Sequence, residues 1–556
     1  MIKRFLKTLS KVAWFIPGFL LWASYPPISE RTDVFFALAP LIWFARNRSP
    51  RESFKLWYLN GFLFWVGTLA WMPAIVKNGG PWYLVVLGWG ALAAYCALYF
   101  GAFGYLSARL WDRAKDAYWK RLLAILIAEP ILWAGLEILR SRLMGGFSWN
   151  QLGVAAVNSG FGDSASLGGV CFLSAMIILV NGTFASIAER IFEPFKAKRT
   201  HKLILDGHTL ELEEAKIKKT LPKGIFRYLR TIETVLPFLI IWGAHTLSCR
   251  YTTFLPDKDT KFLNVALVQR NFPCAFKAVE ENPLVVYEKL LSNIAPFSPD
   301  LVVLPESAFC ELALLNTKRG ASVADWMLKK ANAKAILAGG SRTNASNEQF
   351  NSAALYSYNQ SGELTEQIYD KVHLVPFGEF IPGDKLIPIL QNLAPVGSCT
   401  PGEPKLLEFD GIKLGVAICY EDTDSLLIRS FVNMGADALI FITNDSWFSE
   451  SDETLQHTWQ SIARTIETGL PIIRVGNSGI SGIIYPNGQS SWLVGKNGNL
   501  LEDERGCKVE RVAIPLKKQR KSTIYSHLGD APIFILFILL LPLAFPIKNV
   551  LRKLFK

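Results

Sequence analysis

The stretch LGVAICYED, residues 414–422, decides the fold of the second half of this chain. A short apolar run leads into Cys419 and turns acidic within two residues. Such a run is typical of a strand buried in a sheet. Because α/β proteins build their sites at the carboxyl ends of strands, Cys419 is a candidate nucleophile.

Similar apolar runs surround this stretch and alternate with helical patterns. The alternation predicts a soluble α/β domain over residues 258–520. The predicted strands are FLNVALVQ, DLVVLPE, AILAGGS, NSAALYSY, KLGVAIC, DALIFIT and PIIRVG, and the predicted helices lie near 283–294, 322–332, 423–434 and 453–468.

The rest of the chain is more apolar. Half of all residues are hydrophobic, and outside the α/β domain they form runs near the roughly 20 residues that cross a bilayer. We predict an α-helical membrane bundle of seven helices in residues 1–250, and an eighth helix with a basic tail in residues 527–556. The predicted spans lie near 12–28, 33–46, 56–76, 82–106, 122–139, 166–187, 232–249 and 531–547.

Lysines and arginines predict the orientation, because short loops rich in them stay in the cytoplasm. The basic loops, including a cytoplasmic insert at about 190–231, fall on one side if the spans alternate. Arg140 and Arg142 are the exception. Both termini are then cytoplasmic and the α/β domain is extracytoplasmic. A cleaved signal peptide remains an alternative for the first span. The net charge of +12 is explained largely by these loops, so we expect no nucleic-acid partner.

The eight cysteines give little support for a disulfide framework or a zinc site. Five lie in the α/β domain, an odd number, and none of those five belongs to a CxxC pair. We therefore predict no metal ion and no cofactor.

A catalytic cysteine needs a base or a cation nearby, because the thiolate is the nucleophile. Two other stretches supply candidates. In LVVLPESAF a strand ends at Glu306, and in YDKVHLVPFGEFIPG Lys371 opens a proline-stiffened loop. Glu306, Lys371 and Cys419 would then serve as base, oxyanion stabiliser and nucleophile.

Each residue also has a structural interpretation. Free cysteine is among the most buried residue types. Glu306 could be a helix N-cap, and Lys371 could be a solvated surface lysine. His373 offers a further alternative, a papain-like dyad with Cys419.

Four motifs together carry a resemblance. PESAF, KVHLVPFGEFIP, ICYED and NDSWF, in this order, resemble the nitrilase superfamily, which implies an αββα sandwich with a Glu-Lys-Cys triad. Eight spans around that domain resemble its membrane branch, the apolipoprotein N-acyltransferases. GGFSWNQLG from Gly145 and the NGGP turn at Asn78 also resemble this branch.

The resemblance implies roles for individual residues. Cys419 matches the nucleophile, Glu306 the general base and Lys371 the oxyanion stabiliser. The residues that match active-site support are Glu379, Tyr420 and Glu421, and those that match a loop with possible substrate contacts are Asn444, Trp447 and Phe448. One departure is Ala278, which stands after Lys277 where the family often has tryptophan.

The implied activity is the last step of lipoprotein maturation. An acyl chain passes from a membrane phospholipid to Cys419, and from this thioester to the N-terminal amine of a diacylglyceryl apolipoprotein. The implied location is the bacterial inner membrane, with the catalytic domain in the periplasm, and we expect a monomer. The segment from Lys385, with Ile387 and Leu390, is expected to form an apolar lid that excludes water.

Two alternatives remain. A membrane-tethered amidase would use the same triad with water as acceptor, but a simple hydrolase does not require a membrane half. A transporter or receptor with an inert ectodomain would be expected to show more ionisable residues in its spans than Glu129 and Glu137.

Overall fold

The structure is a computed structural model, and it contains a helical half followed by a two-sheet domain. It describes residues 13–203, 223–252, 260–273, 281–310, 312–381, 399–515 and 522–544. The helices of the first half are Ile16–Ala23, Ala39–Ala45, Pro50–Thr68, Ala74–Lys77, Trp82–Ala114, Tyr118–Leu123, Glu129–Arg140, Ala165–Leu203 and Lys223–Thr252.

Four described helices are long and apolar enough to cross a membrane. They are Trp82–Ala114, Tyr118–Arg140, Gly162–Ile191 and Thr231–Thr252, and two shorter apolar helices are Asp33–Ala45 and Ala531–Ala544. The predicted span near 56–76 overlaps the helix Pro50–Thr68, which is not one of these four. A capping box between Ser49 and Glu52 fixes its start, and its first turns are charged.

Charged side chains inside the helical half are paired. Arg46 donates to Glu129 over 2.8 Å with both side chains 1% exposed, and Ser107 donates to the other oxygen of that carboxylate. The guanidinium also lies 4.2 Å from the ring centroid of Trp111. Because breaking such a pair would strand a buried charge, Arg46 and Glu129 hold helices together.

The second half is built on twelve strands in two six-stranded sheets, in the orders β12-β1-β2-β3-β4-β5 and β11-β10-β9-β8-β7-β6. The strands are β1 Lys261–Gln269, β2 Leu301–Val303, β3 Ala335–Thr343, β4 Gln349–Tyr358, β5 Leu364–Asp370, β6 Leu406–Phe409, β7 Ile412–Ile418, β8 Ala438–Thr443, β9 Ile472–Gly476, β10 Gly482–Ile484, β11 Ser490–Trp492 and β12 Gly506–Ile514. Strands β1 to β3 are parallel, as are β7 to β9, and the remaining pairs are antiparallel.

Alternate residues of each strand face opposite layers. In β1, Val265 and Leu267 pack in one cluster with residues of β7 such as Val416. Their neighbours Ala266 and Val268 pack instead against helices. The helices of this half are Pro283–Ile294, Lys318–Ala331, Ser425–Met434 and Glu453–Thr468, followed by Ile524–Leu528 and Ala531–Ala544.

The architecture is thus a nitrilase-like αββα sandwich, and this part of the expected fold class is confirmed. All seven predicted strands are present, and each predicted helix of the domain overlaps an observed one. The sequence analysis missed β5, β6, β10, β11 and β12, which are short or rich in polar residues.

Candidate active site

Cys419 lies at a sharp turn directly after β7. A single turn of 3-10 helix, Cys419–Thr423, follows the strand. The cysteine has φ of +54°, in the left-handed region that costs a residue with a Cβ atom free energy. The residue as a whole is partly exposed, while its sulfur is buried. The strained turn therefore presents the thiol at the carboxyl edge of the sheet.

Glu306 follows β2 and points into the same region. It is 7% exposed, and Asn351 Nδ2 donates to its Oε1 over 2.8 Å. A Cβ atom at Gly339 would lie 2.6 Å from Glu306 Cα, so only glycine lets β3 approach the glutamate this closely. Glu306 caps no described helix, and the N-cap interpretation is therefore wrong.

Lys371 follows β5 and is 1% exposed, so it is not a solvated lysine. Its Nζ lies 2.9 Å from Glu379 Oε2 and 3.9 Å from Glu306 Oε1. Asn351 also donates to Glu379, over 2.6 Å. One ammonium and one amide therefore hold two carboxylates, Glu306 buried and Glu379 partly buried.

The electrostatics of the site keep the thiol of Cys419 protonated at rest. Burial and the Glu306 charge raise the pKa of Cys419 well above its usual value, although Lys371 opposes them. Burial also raises the pKa of Glu306, against Lys371 and with Glu379. Burial lowers the pKa of Lys371, but Glu379 and Glu306 outweigh it and raise that pKa. The thiol is therefore protonated at rest and needs a base.

Glu421 is a buried residue of the turn Cys419–Thr423, the nucleophile turn, and its carboxylate acts as a clamp. Its carboxylate accepts backbone N–H groups of Val372 at 2.6 Å and Ile418 at 2.7 Å, and the hydroxyl of Tyr369 at 2.9 Å. Burial raises the pKa of Glu421 to about 7, although Lys371 opposes this. The clamp ties the lysine loop to the turn that carries Cys419.

His373 does not form the alternative dyad. Its Nδ1 lies 3.0 Å from Asp424 Oδ2, and its ring meets that of Tyr420 edge-on at 5.5 Å. Tyr420 in turn donates to the carbonyl of Gly146 over 3.4 Å. The predicted support residue Tyr420 thus lies between the lysine loop and the helical half.

The loop after β8 holds the three candidates for substrate contact. Asn444 Oδ1 accepts Asn477 Nδ2 at 2.8 Å, and Asn78 donates to the backbone carbonyl of Trp447 over 2.8 Å. Phe448 packs edge-on against Trp71 at 4.8 Å. Asn444 is buried and hydrogen-bonded. Trp447 and Phe448 lie at the junction with the helical half.

A second charged cluster lies behind the nucleophile turn, and the sequence analysis missed it. His457 Nε2 lies 3.0 Å from Asp422 and its Nδ1 lies 3.1 Å from Asp445. Arg474, fully buried, pairs with the same two aspartates at 3.1 and 3.2 Å. The signal was LQHTWQSIAR, where polar residues fall on every face of a predicted helix.

The helix Glu453–Thr468 joins this cluster to the helical half. Gln456 Oε1 accepts Trp149 Nε1 at 2.9 Å and Asn150 Nδ2 at 2.7 Å, and its own amide donates to the carbonyl of Thr68. The GGFSWNQLG motif therefore belongs to the junction between the two halves.

Two features from the sequence fall elsewhere. The expected lid residues Ile387 and Leu390 lie outside the described residues, as does the departure at Lys277 and Ala278.

Two protein-family models match this chain, one in each half. Residues 264–514 match the carbon-nitrogen hydrolase family model, the class to which the sandwich and the cysteine turn point. Residues 17–183 match the model of the apolipoprotein N-acyltransferase N-terminal domain.

Two relatives that match most of the chain are both apolipoprotein N-acyltransferases. The apolipoprotein N-acyltransferase of Geobacter metallireducens is 29% identical over 85% of this chain and 84% of the relative. That of Photobacterium profundum is 27% identical over 88% of this chain and 87% of the relative. The chain is similar over most of its length to the apolipoprotein N-acyltransferases, and it is an enzyme of the acyltransferase class.

Among solved structures, an amidase from Nesterenkonia sp. AN1 aligns with 47% of this chain and 94% of its own. The identity is 18% and the TM-score is 0.34. The likeness to the apolipoprotein N-acyltransferases comes from the sequence matches and not from this structure.

Proposed function

We propose that this enzyme transfers an acyl chain from a membrane phospholipid to the N-terminal amine of diacylglyceryl-cysteine apolipoprotein, through a thioester on Cys419. Glu306 is the general base, and Lys371 stabilises the oxyanion. The observation that carries the proposal is that Glu306, Lys371 and Cys419, which follow three different strands, lie close enough to shift one another's pKa values, beside a turn packed against the membrane half.

The first half-reaction loads the enzyme. Glu306 takes the thiol proton as Cys419 Sγ attacks the ester carbonyl of the phospholipid, and a C–S bond forms. Lys371 stabilises the developing oxyanion as a positioned cation. The tetrahedral intermediate collapses, the C–O bond breaks, and Glu306 returns its proton to the departing lysophospholipid.

The second half-reaction transfers the acyl chain from Cys419 to the apolipoprotein. The α-amine of the apolipoprotein attacks the thioester, Glu306 takes a proton from the amine, and a C–N bond forms as the C–S bond breaks. The thiolate leaves and regains its proton from Glu306. A raised pKa suits Glu306 to this double duty, because a base works best when its pKa is near the operating pH.

Contacts between the halves support lipid substrates. Ser148 donates to Thr423 over 2.9 Å, and Tyr420 reaches Gly146. Asn78 holds the loop of Trp447. The nucleophile turn is thus fixed to the part of the chain that enters the bilayer, where both substrates are anchored.

The proposal includes a topology. Eight spans place both termini in the cytoplasm and the catalytic domain in the periplasm of a bacterial inner membrane, with the enzyme acting as a monomer. In spheroplasts, a membrane-impermeant maleimide should label the exposed Cys310. Labelling only after lysis would place the domain on the other side.

Intact mass after incubation with phospholipid tests the chemistry. The wild type and the control variant Cys310→Ser should gain one acyl chain, sensitive to hydroxylamine, and Cys419→Ala should gain none. A diacylglyceryl-cysteine peptide should discharge the adduct and acquire the chain. An equal adduct on Cys419→Ala would refute the acyl-enzyme, and discharge to free fatty acid alone would show a hydrolase.

A further inference from the structure

Three side chains of types that can bind a metal ion lie where the helix Lys223–Thr252 meets the turn Gly162–Ser164. His245 and Cys249 stand one helical turn apart, and Asp163 comes from the turn. Cys249 Sγ lies 3.9 Å from Asp163 Oδ2 and 3.9 Å from His245 Nε2. All three donor atoms lie within 4.8 Å of one another.

These separations suit a tetrahedral zinc ion. Zinc binds thiolate sulfur at about 2.3 Å and imidazole nitrogen at about 2.0 Å, so two such ligands of one ion stand roughly 3.5 Å apart. The observed distances exceed this by a few tenths of an ångström. Side-chain movement alone closes that gap, since two ligands share one helix face.

Among the described residues, no lysine or arginine pairs with the carboxylate of Asp163. The charged group that acts on Asp163 is His245, and the hydroxyl of Thr252 donates to the same carboxylate. His245 Nδ1 is buried and has no hydrogen-bond partner among the described residues, so the ring orientation is determined on the Nε2 side, which faces Cys249. Phe161 packs edge-on against the ring at 5.7 Å.

A second cluster has similar spacing, but its carboxylates are already paired with cationic side chains. Asp445, Glu453 and His457 also bring three donor atoms within 4.8 Å. There, Arg474 already pairs with Asp445, and both nitrogens of His457 already meet carboxylates. A guanidinium takes the place of a metal ion, so that cluster has no room for one.

We propose that Asp163, His245 and Cys249 bind zinc, with a fourth position open to water. Binding requires the neutral imidazole and displaces the thiol proton of Cys249 to solvent. The ion would join the helix that leads into the catalytic domain to the turn before the helix Ala165–Leu203. That second helix donates Val170 N–H to Glu467 of the catalytic domain over 2.8 Å. The ion would therefore stiffen the junction rather than take part in acyl transfer.

The test uses the full-length enzyme in detergent, stripped with a chelator and then loaded. We expect about one zinc per chain in the wild type, and less than about one tenth of that in Cys249→Ser and His245→Ala, because each removes one of three protein ligands. Cobalt should give a thiolate-to-metal charge-transfer band that Cys249→Ser abolishes. The matched controls Cys310→Ser and His527→Ala, at exposed positions, should keep both signals.

Several results would overturn the site. Zinc below one tenth per chain in the wild type would do so, as would a cobalt band unchanged in Cys249→Ser or lost in Cys310→Ser. Thermal unfolding separates binding from misfolding: zinc should raise the midpoint of the stripped wild type and leave that of Cys249→Ser unmoved. An equal rise in both would show an adventitious ion only. None of these readouts depends on acyl transfer.

Discussion

Two buried clusters of charged side chains flank the nucleophile turn, and they differ in charge balance. The reactive cluster holds Glu306 and Glu379 against one cation, Lys371. The closed cluster behind the turn holds Asp422 and Asp445 against the two cations His457 and Arg474.

The difference in charge balance suits the closed cluster to a structural role and the reactive cluster to proton transfer. In the closed cluster, every charge is matched, because burial and Asp445 raise the pKa of Glu453 to about 8 and keep that neighbour neutral. The reactive cluster has two carboxylates and only one cation, Lys371. Lys371 lies closer to Glu379 than to Glu306, so Glu306 is the carboxylate left without a close cation. In the proposed mechanism, Glu306 accepts the proton of the Cys419 thiol. A buried site with an unmatched carboxylate can accept a proton, and a matched one can only hold its shape.

The largest effect is expected from removing the surplus carboxylate. Glu306→Gln keeps the side-chain shape and leaves Lys371 paired with Glu379, so folding should be preserved. Acyl-enzyme formation should slow by about 10²- to 10⁴-fold, the usual contribution of a general base. Rapid-quench mass spectrometry measures the rate, and thermal unfolding checks the fold. A rate within a few-fold of the wild type would remove Glu306 from the mechanism.

Breaking the closed cluster should instead cost stability. Arg474→Met leaves Asp422 and Asp445 one cation short, and breaking a buried pair costs about 3–5 kcal/mol. The apparent Tm in detergent should fall clearly below that of Arg319→Met, a control at an exposed position. Equal Tm values for the two variants would show that the cluster is not structural.

The closed cluster should also weaken at high pH. Burial and Arg474 disfavour the charged ring, but Asp422 and Asp445 outweigh them and raise the pKa of His457 to about 10. The folded-state pKa lies above the unfolded value of 6.5, so this stabilisation is complete below about pH 6.5 and is lost as pH rises through about 10. Between these limits, the Tm of the wild type should fall more steeply than that of His457→Gln. Parallel curves would contradict the charged histidine.

A smaller loss is expected at the junction between the halves. Gln456→Leu leaves the buried Trp149 N–H without its acceptor, at a cost of about 1–3 kcal/mol in unfolding free energy. It also removes one of the two acceptors of Asn150, which keeps its bond to Thr68. The exposed Gln489→Leu is the control. Limited proteolysis should cut the loop around residue 150 faster in Gln456→Leu alone. Equal cutting of the two variants would mean that the contact does not hold the halves together.

The smallest effect is expected beside Asn78. Lys77 pairs with Glu450 at 2.8 Å, but the side chains are 62% and 75% exposed, so Lys77→Ala should change stability by no more than about 0–1 kcal/mol. Asn78→Ala, one residue away, loses two donations to the loop of Trp447. Its Tm should fall further than that of Lys77→Ala, and the reverse order would contradict this assignment.

The sequence could predict the elements with strong local signals. Apolar runs such as KLGVAIC are buried on both faces, so their strands were found, and PESAF and ICYED fixed the ends at which Glu306 and Cys419 stand. Strand β5, LTEQIYD, was missed because all its side chains except that of Tyr369 are only partly buried. No run of residues marks it as part of a sheet.

Contacts between distant segments could not be predicted in this way. Asn351, which holds both Glu306 and Glu379, opens a strand as an ordinary polar residue. Arg474 sits within an apolar strand pattern, and its partners are 29 and 52 residues away in the chain. Only the fold brings such side chains together, so the closed cluster had no sequence signal specific enough to identify it.

The protonated resting state of Cys419 also bears on chemical durability. Peroxides and alkylating agents attack thiolates far faster than thiols, and the first oxidation product leads on to irreversible acids. Burial and the charge of Glu306 hold the pKa of this thiol well above its usual value. If Cys419 is the nucleophile we propose, it is protected between turnovers, and the enzyme should outlast in oxidant a cysteine enzyme whose thiol is already ionised at rest.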